Sequence, residues 1–408
     1  MRIAQVAPLQ EAVPPRFYGG TERVVSYLTE HLVELGHDVT LFASGDSDTS
    51  ARLIPICRQG LRLDPGCQNP VPYEILALEA VLGQADDFDI IHFHEERLHL
   101  PWSRRIRCAT VTTMHGRLDL RELVPLYREY ADIPLVSISD AQRSPLPWAN
   151  WRATVYHGLP DDLYRCHSEP GGYLAFLGRI CPEKGVDRAI AIARRAGVEL
   201  KIAAKVDPAD EEYFETEIRH LLSDPLVDFI GEIGDGDKEA FLGGALALLM
   251  PIGWPEPFGL VVIEAMACGT PVIAFPFGSM PELIEPGANG FLVENEDQAA
   301  AAVHAAARLD RKLCRRVFDE RFTAARMASD YIGVYAQLAD EAAPLDGRTL
   351  LDATSLPRPA AAPGRDRSAP PGLVVPPGLG PLDRQPTARP GVEADRGRAA
   401  PITSRAAQ

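Results

Sequence analysis

Two successive series of short apolar runs alternate with helical patterns, and this alternation limits the fold more than any other feature of the chain. Residues 2–7, 38–43, 89–93, 109–114 and 135–139 have the length and composition of β-strands. Between the first two, Val24, Val25, Leu28, Leu32 and Leu35 recur at helical spacing, which predicts a helix over residues 21–35 that stops at Gly36. Gly158, Pro160 and Pro170 then interrupt the pattern, so the join between two halves is expected at residues 157–170. Beyond it, strands are expected at 172–177, 199–204, 227–230, 247–250 and 271–275, and helices at 186–196 and 261–268. Strands alternating with helices imply parallel pairing, because parallel neighbours need a crossover. The expected class is therefore α/β, in two halves. A last helix is expected over residues 321–338, with Phe322, Ala325, Tyr331 and Tyr335 forming its buried face.

Composition narrows the class of function. A chain of 408 residues with 46% hydrophobic and 24% charged residues can build two cores. The net charge of −16 argues against nucleic acid as a partner, since a phosphate backbone needs a basic face. A local Arg and Lys cluster can still hold one small anion. The seven cysteines are odd in number and contain no Cys-x-x-Cys pair, which argues against a disulfide framework or zinc site and for a reducing compartment. Pro8 interrupts the apolar start too early for a signal peptide, and no stretch is apolar for long enough to span a bilayer. A cytoplasmic location is expected, with peripheral contact at a membrane surface left open. From Pro344 onward the pattern ends: 12 of the 36 prolines lie there, with nine Arg against six acids. Residues 344–408 are expected to form a disordered, solvated tail, with partner binding as its alternative role.

Three segments carry chemistry. Gly19 and Gly20 precede the first helix, whose N-terminus offers free N–H groups and a partial positive charge to an anion. Arg179 and Lys184 lie on a loop between a strand and a helix of the second half, the edge at which open α/β sheets bind ligands. A planar guanidinium and a compact ammonium together suit a diphosphate. Glu256-Pro257-Phe258-Gly259-Leu260-Val261-Val262-Ile263-Glu264 sets two carboxylates around a helix start. Phe258, Gly259 and Leu260 are expected in the first turn, where amides lack intrahelical partners. Paired carboxylates taken alone would also allow acid–base hydrolysis. Beside an Arg–Lys clamp they read as acceptors for sugar and ribose hydroxyls.

With these segments, His115-Gly116 after a strand and Pro281-Glu282 followed by Gly290-Phe291-Leu292-Val293, residues 1–340 resemble a retaining glycosyltransferase of family 4 (glycosyl transferases group 1). The resemblance implies the GT-B fold, two Rossmann-like domains facing each other across a cleft. It implies an acceptor-side domain at 1–165, a nucleotide-sugar-binding domain at 166–326, and a helix at 327–343 packing back towards the first domain. It also implies residue roles. Arg179 and Lys184 would bind the donor diphosphate, Glu256 the sugar hydroxyls, Glu264 the ribose, and the amides of Phe258, Gly259 and Leu260 the sugar or phosphate. His115 would contact the transferred sugar, and the backbone at Ile233 would meet the nucleobase. His92 and His94, on a strand, are read as structural. The implied catalytic set is His115, Arg179, Lys184 and Glu256, with no metal and no cofactor other than a UDP- or GDP-linked hexose as co-substrate. The chain departs from many relatives at Gly116, at Tyr156-His157-Gly158, at Ala203-Ala204-Lys205 and at Gly278-Ser279-Met280. These departures bear on donor sugar and acceptor, which could be a glycan, a lipid-linked glycan or a small metabolite. A sugar-nucleotide epimerase or hydrolase, or a catalytically silent binding module, stays open as an alternative. The sequence is silent on oligomeric state.

Overall fold

The structure, a computed structural model, describes residues 1–16, 19–95 and 97–342. The expected tail at 344–408 lies outside the described residues.

The first half is a seven-stranded sheet built from β1 (Arg2–Val6), β2 (Asp38–Ser44), β3 (Arg52–Cys57), β4 (Ile90–Phe93), β5 (Ala109–Thr113), β6 (Leu135–Ser137) and β7 (Trp151–Thr154). Its order is β3-β2-β1-β4-β5-β6-β7, and every neighbouring pair is parallel. The second half is a six-stranded sheet of β8 (Tyr173–Arg179), β9 (Glu199–Lys205), β10 (Val227–Gly231), β11 (Ala245–Met250), β12 (Val272–Ala274) and β13 (Gly290–Leu292). Its order is β10-β9-β8-β11-β12-β13, again all parallel. Each order reverses beside its first strand, so β1 lies between β2 and β4, and β8 between β9 and β11. Connections leave such a point to opposite faces and open a crevice at the strands' C-terminal edge. Both halves therefore bring their βα loops to a ligand-binding edge.

The apolar runs became strands because helices cover both faces of a parallel sheet, and β4 and β5 are buried throughout. The first helix spans Gly20–Glu34, and Leu35 lies past its end with 56% of its surface exposed, outside the expected apolar face. The expected last helix starts three residues later and spans Ala324–Ala342, and a separate helix, Arg311–Arg321, precedes it. Between them the backbone is diverted into pairing with the interdomain connection: Leu159 donates to the Phe322 carbonyl at 3.0 Å, and Ala324 donates to the Leu159 carbonyl at 2.7 Å. A Cβ on Gly158 would lie 2.2 Å from the Thr323 carbonyl oxygen, so this contact needs glycine there. The break also turns the face of the final helix. Ala325 is exposed, while Met327, Ala328, Tyr331, Tyr335 and Leu338 pack with Ile3, Val24, Leu28, Ile90 and Val111 of the first half. Burying each such side chain is worth about 1.5–3 kcal/mol before the entropy of ordering it. No helix among the described residues is long and apolar enough to cross a membrane. All seven cysteines are free thiols.

Candidate active site

A cleft of about 590 Å³ separates the two halves and is lined by both, a size typical of small-molecule sites. On the second half, β8 runs two residues further than expected and ends at Arg179, in register with Lys205 of β9. The Arg179 guanidinium lies 3.5 Å from carboxylate oxygens of both Asp207 and Asp210, and Lys205 Nζ lies 2.8 Å from Asp207. Burial works against the Asp207 carboxylate, but Lys205 and Arg179 outweigh it and hold the group below its ordinary value. Lys184 ends the short turn Pro182–Lys184, and its Nζ lies 2.5 Å from Glu256 Oε2. Trp254, which the sequence reading passed over, lies near both Lys184 and Arg117 of the first half, with ring distances of 5.3 and 5.5 Å. Such cation–π contacts order a long side chain without neutralising it.

The stretch from Glu256 to Glu264 forms the floor. The helix begins at Leu260, one residue before the expected 261–268 span; Gly259 is its N-cap at φ 90°, so Phe258 and Gly259 precede the first turn in which they were expected. Phe258 is buried, with its ring edge-on to His157 at 4.8 Å, because the apolar side chain is drawn into the core beneath the loop. The amides of Phe258, Gly259 and Leu260 meet no acceptor among the described residues. The Ser279 hydroxyl donates to the Phe258 carbonyl at 2.6 Å, and the Ser279 amide donates to that of Glu256 at 3.0 Å. The departure at Gly278-Ser279-Met280 thus braces this loop. Glu264 is 3% exposed and accepts from Lys238 Nζ at 2.8 Å. Burial opposes the Lys238 charge, but Glu264 and Asp235 outweigh it and raise the group above its ordinary value. Asp235 also pairs with Arg23 of the first helix, which links the halves beside Glu264. Arg23, Asp235 and Lys238 went unread because no spacing connects them to Glu264; only folding brings them together.

On the first half, Gly19 and Gly20 lie where expected, at the start of the Gly20–Glu34 helix. A Cβ on Gly20 would come 3.4 Å from Leu260 Cδ1, so two helix N-termini meet across the cleft. Their partial positive charges add. His115 follows β5 on the same wall, stacked on His157 with 5.3 Å between ring centres. Burial pushes its imidazole down to about 3, so the ring is neutral. Ile233 lines the opposite wall beyond β10. Every residue expected in the site therefore borders one cleft. Glu282 acts elsewhere: it accepts from the Asp140 and Ala141 amides at 2.8 and 2.7 Å and from the Tyr156 hydroxyl at 3.0 Å, fastening the halves. Chemically, the cleft offers cations and open amides to a polyanion, and two carboxylates to hydroxyl donors.

Comparison with known proteins places this geometry. The family model for Glycosyltransferase Family 4 matches residues 18–158, and that for glycosyl transferases group 1 matches residues 167–320. N-acetyl-alpha-D-glucosaminyl L-malate synthase of Bacillus anthracis is 31% identical over 78% of this chain and 93% of its own length. Phosphatidyl-myo-inositol mannosyltransferase of Mycobacterium leprae is 27% identical over 80% of this chain and 91% of its own. Among solved structures, AviGT4, a glycosyltransferase involved in avilamycin A biosynthesis, superposes with a TM-score of 0.63 at 25% identity, covering 83% of this chain and 98% of that one. The cleft between two parallel-sheet domains, the two family matches and these full-length relatives agree: the chain belongs to the GT-B glycosyltransferases of family 4.

Proposed function

We propose that the protein transfers a hexosyl group from a UDP- or GDP-linked sugar to an acceptor hydroxyl, with retention of configuration and without a metal ion. The observation that carries this reading is the convergence of Arg179, Lys184 and the open amides before Leu260 on one cleft that also holds Glu256 and Glu264. The donor's diphosphate fits the cations and the helix N-terminus, its sugar hydroxyls fit Glu256, its ribose fits Glu264, and its base fits the backbone around Ile233. As the C1–O bond breaks, negative charge grows on the departing phosphate, and fixed dipoles and cations aimed at it lower the barrier. The acceptor oxygen attacks C1 from the face that the leaving group vacates, and its proton passes to the released phosphate oxygen. This balances the reaction with no carboxylate nucleophile. Closure of the halves around the donor keeps water out.

The test supplies UDP- and GDP-hexoses in the presence of EDTA, with hydroxyl acceptors including inositol phosphates and malate, which are suggested by the relatives' names. Acceptor-dependent release of UDP or GDP and an axial or equatorial product linkage matching the donor's are expected. Equal release without acceptor would instead indicate a hydrolase, and an inverted linkage would overturn retention.

A further inference from the structure

The face of the first sheet beneath the Ala324–Ala342 helix changes character along its strands. On β1, Ile3 is followed by Gln5; on β4, Ile90 is followed by His92 and then His94; on β5, Val111 is followed by Thr113 and then His115. Alternate residues of a strand share a face, so rows that begin apolar turn polar as they approach the cleft. Gln5, His92 and Thr113 are fully buried and His94 is 2% exposed. Polar groups at that depth need partners, and these form one chain. His115 Nε2 lies 2.9 Å from His94 Nδ1, and His94 Nε2 lies 2.7 Å from Gln5 Oε1. Gln5 Nε2 donates to the Tyr335 hydroxyl at 3.0 Å, which lies 2.6 Å from His92 Nδ1. His92 Nε2 lies 2.7 Å from the Thr113 hydroxyl, which meets the Tyr331 hydroxyl at 2.8 Å.

The orientation of the Gln5 amide, Oε1 to His94 and Nε2 to Tyr335, assigns the protons. Gln5 Oε1 can only accept, so His94 carries its proton on Nε2. In a neutral ring His94 Nδ1 is then bare, and His115 must donate from Nε2. Burial keeps both rings neutral. His115 Nδ1 is left as a buried acceptor with no hydrogen-bond partner among the described residues.

We propose that His94 is a positioning residue for glycosyl transfer: it holds His115 as the Nε2–H tautomer, leaving the unpartnered Nδ1 as the acceptor that a hydroxyl of the bound sugar reaches when the halves close around the donor. This rests on the reading that a sugar nucleotide occupies the cleft. The orientation of the Gln5 amide sets the direction of the chain, and its bond to Tyr335 brings the final helix into it. Turning the Gln5 amide over would reverse every bond and place the proton on His115 Nδ1.

Nitrogen NMR of ¹⁵N-histidine-labelled protein near neutral pH decides the tautomer without any turnover. His115 protonated on Nε2 is expected, and protonation on Nδ1 would overturn the proposal. In His94→Leu, kcat should fall on the order of 10–100-fold, as when a group orienting a reactive imidazole is lost, while the donor KM stays within about threefold. His94→Asn, whose side-chain oxygen can accept where Nδ1 did, should restore the tautomer and most of kcat. A folded His94→Leu with full kcat, or a folded His94→Asn as slow as the leucine variant, would also overturn it. Should the leucine variant not fold, Tyr335→Phe tests the same chain by releasing the Gln5 amide, and a share of His115 protonated on Nδ1 is then expected; an unchanged His115 would count against the chain. If the wild-type protein turns over no nucleotide sugar, the donor reading fails, while the labelled spectrum still decides the histidine chain.

Discussion

Lys184 is paired with Glu256 at 2.5 Å. In the proposed reaction the donor's diphosphate shares that ammonium, and the carboxylate stays close enough to take a hydroxyl from the sugar attached to it. Lys184→Ala removes the cation from the leaving group and leaves Glu256 unpaired. We expect kcat to fall by roughly two to three decades, the usual effect of losing one preorganised group that stabilises developing charge, measured as UDP or GDP release at saturating donor. Full turnover in that variant would remove Lys184 from the mechanism. Gly259 is the second single position with a sharp consequence. At φ 90° it takes a backbone conformation that side chains resist, and an added Cβ would sit 3.1 Å from Met280 Cε. Gly259→Ala should cost about 1–3 kcal/mol of stability and raise the donor KM, because the open amides beside it would no longer aim into the cleft. A thermal midpoint and a donor titration read the two effects separately.

Among the elements, the break at Phe322 and Thr323 does the most to connect the halves. It ends Arg311–Arg321, pairs with Leu159 in the interdomain connection, and releases Ala324–Ala342 onto the first sheet. Phe322 is fully buried, with ring contacts of 6.0 Å to Tyr156 and 6.3 Å to Phe258. Phe322→Ala should cost about 3–5 kcal/mol in chemical denaturation, whereas Ala325→Ser, three positions on and exposed, should change stability by no more than about 0.5 kcal/mol. Equal effects at the two sites would contradict the break. The strands that the sequence reading passed over are also explained at this scale. β3, β7 and β13 are all sheet edges. An edge strand is covered less completely, so its residues need not form the continuous apolar run that marks a central parallel strand. Pro55 within β3 further masks its nature, and proline is tolerated there because an edge has ladder positions with no partner to serve.

At the scale of the whole molecule, the buried histidines give a pH signature. Burial holds His92, His94 and His157 well below 6.5 and His115 at about 3, so each is neutral in the folded protein while the unfolded chain protonates them near 6.5. The unfolded state then binds more protons below pH 6.5, and stability must fall as pH drops from there towards the folded values. Each histidine contributes up to roughly 1.4 kcal/mol per pH unit within that window. Glu11, Glu22 and Glu74, raised by burial, act in the opposite sense as they take up protons, but they are fewer than the four histidines. Urea midpoints between pH 7.5 and 5.5 should decline with acidification, and a flat profile would mean that these imidazoles are not buried as neutral rings. Much of this molecule could be read along the chain. Apolar runs and helical spacing marked ten strands of the two parallel sheets, and Gly19, Arg179, Lys184 and the Glu256–Glu264 stretch stood out because each sits at a βα turn whose local chemistry is written in adjacent residues. These are short-range properties, set by side-chain periodicity and by the free groups at helix ends. The tertiary structure alone decided which distant groups complete the site. Lys238 reached Glu264, Asp235 reached Arg23, and Tyr335 closed a hydrogen-bond chain to His115 from a helix that returns to the first sheet. No spacing encodes those meetings, because they follow from burial: polar side chains taken out of water must find partners, and the fold determines which ones are within reach.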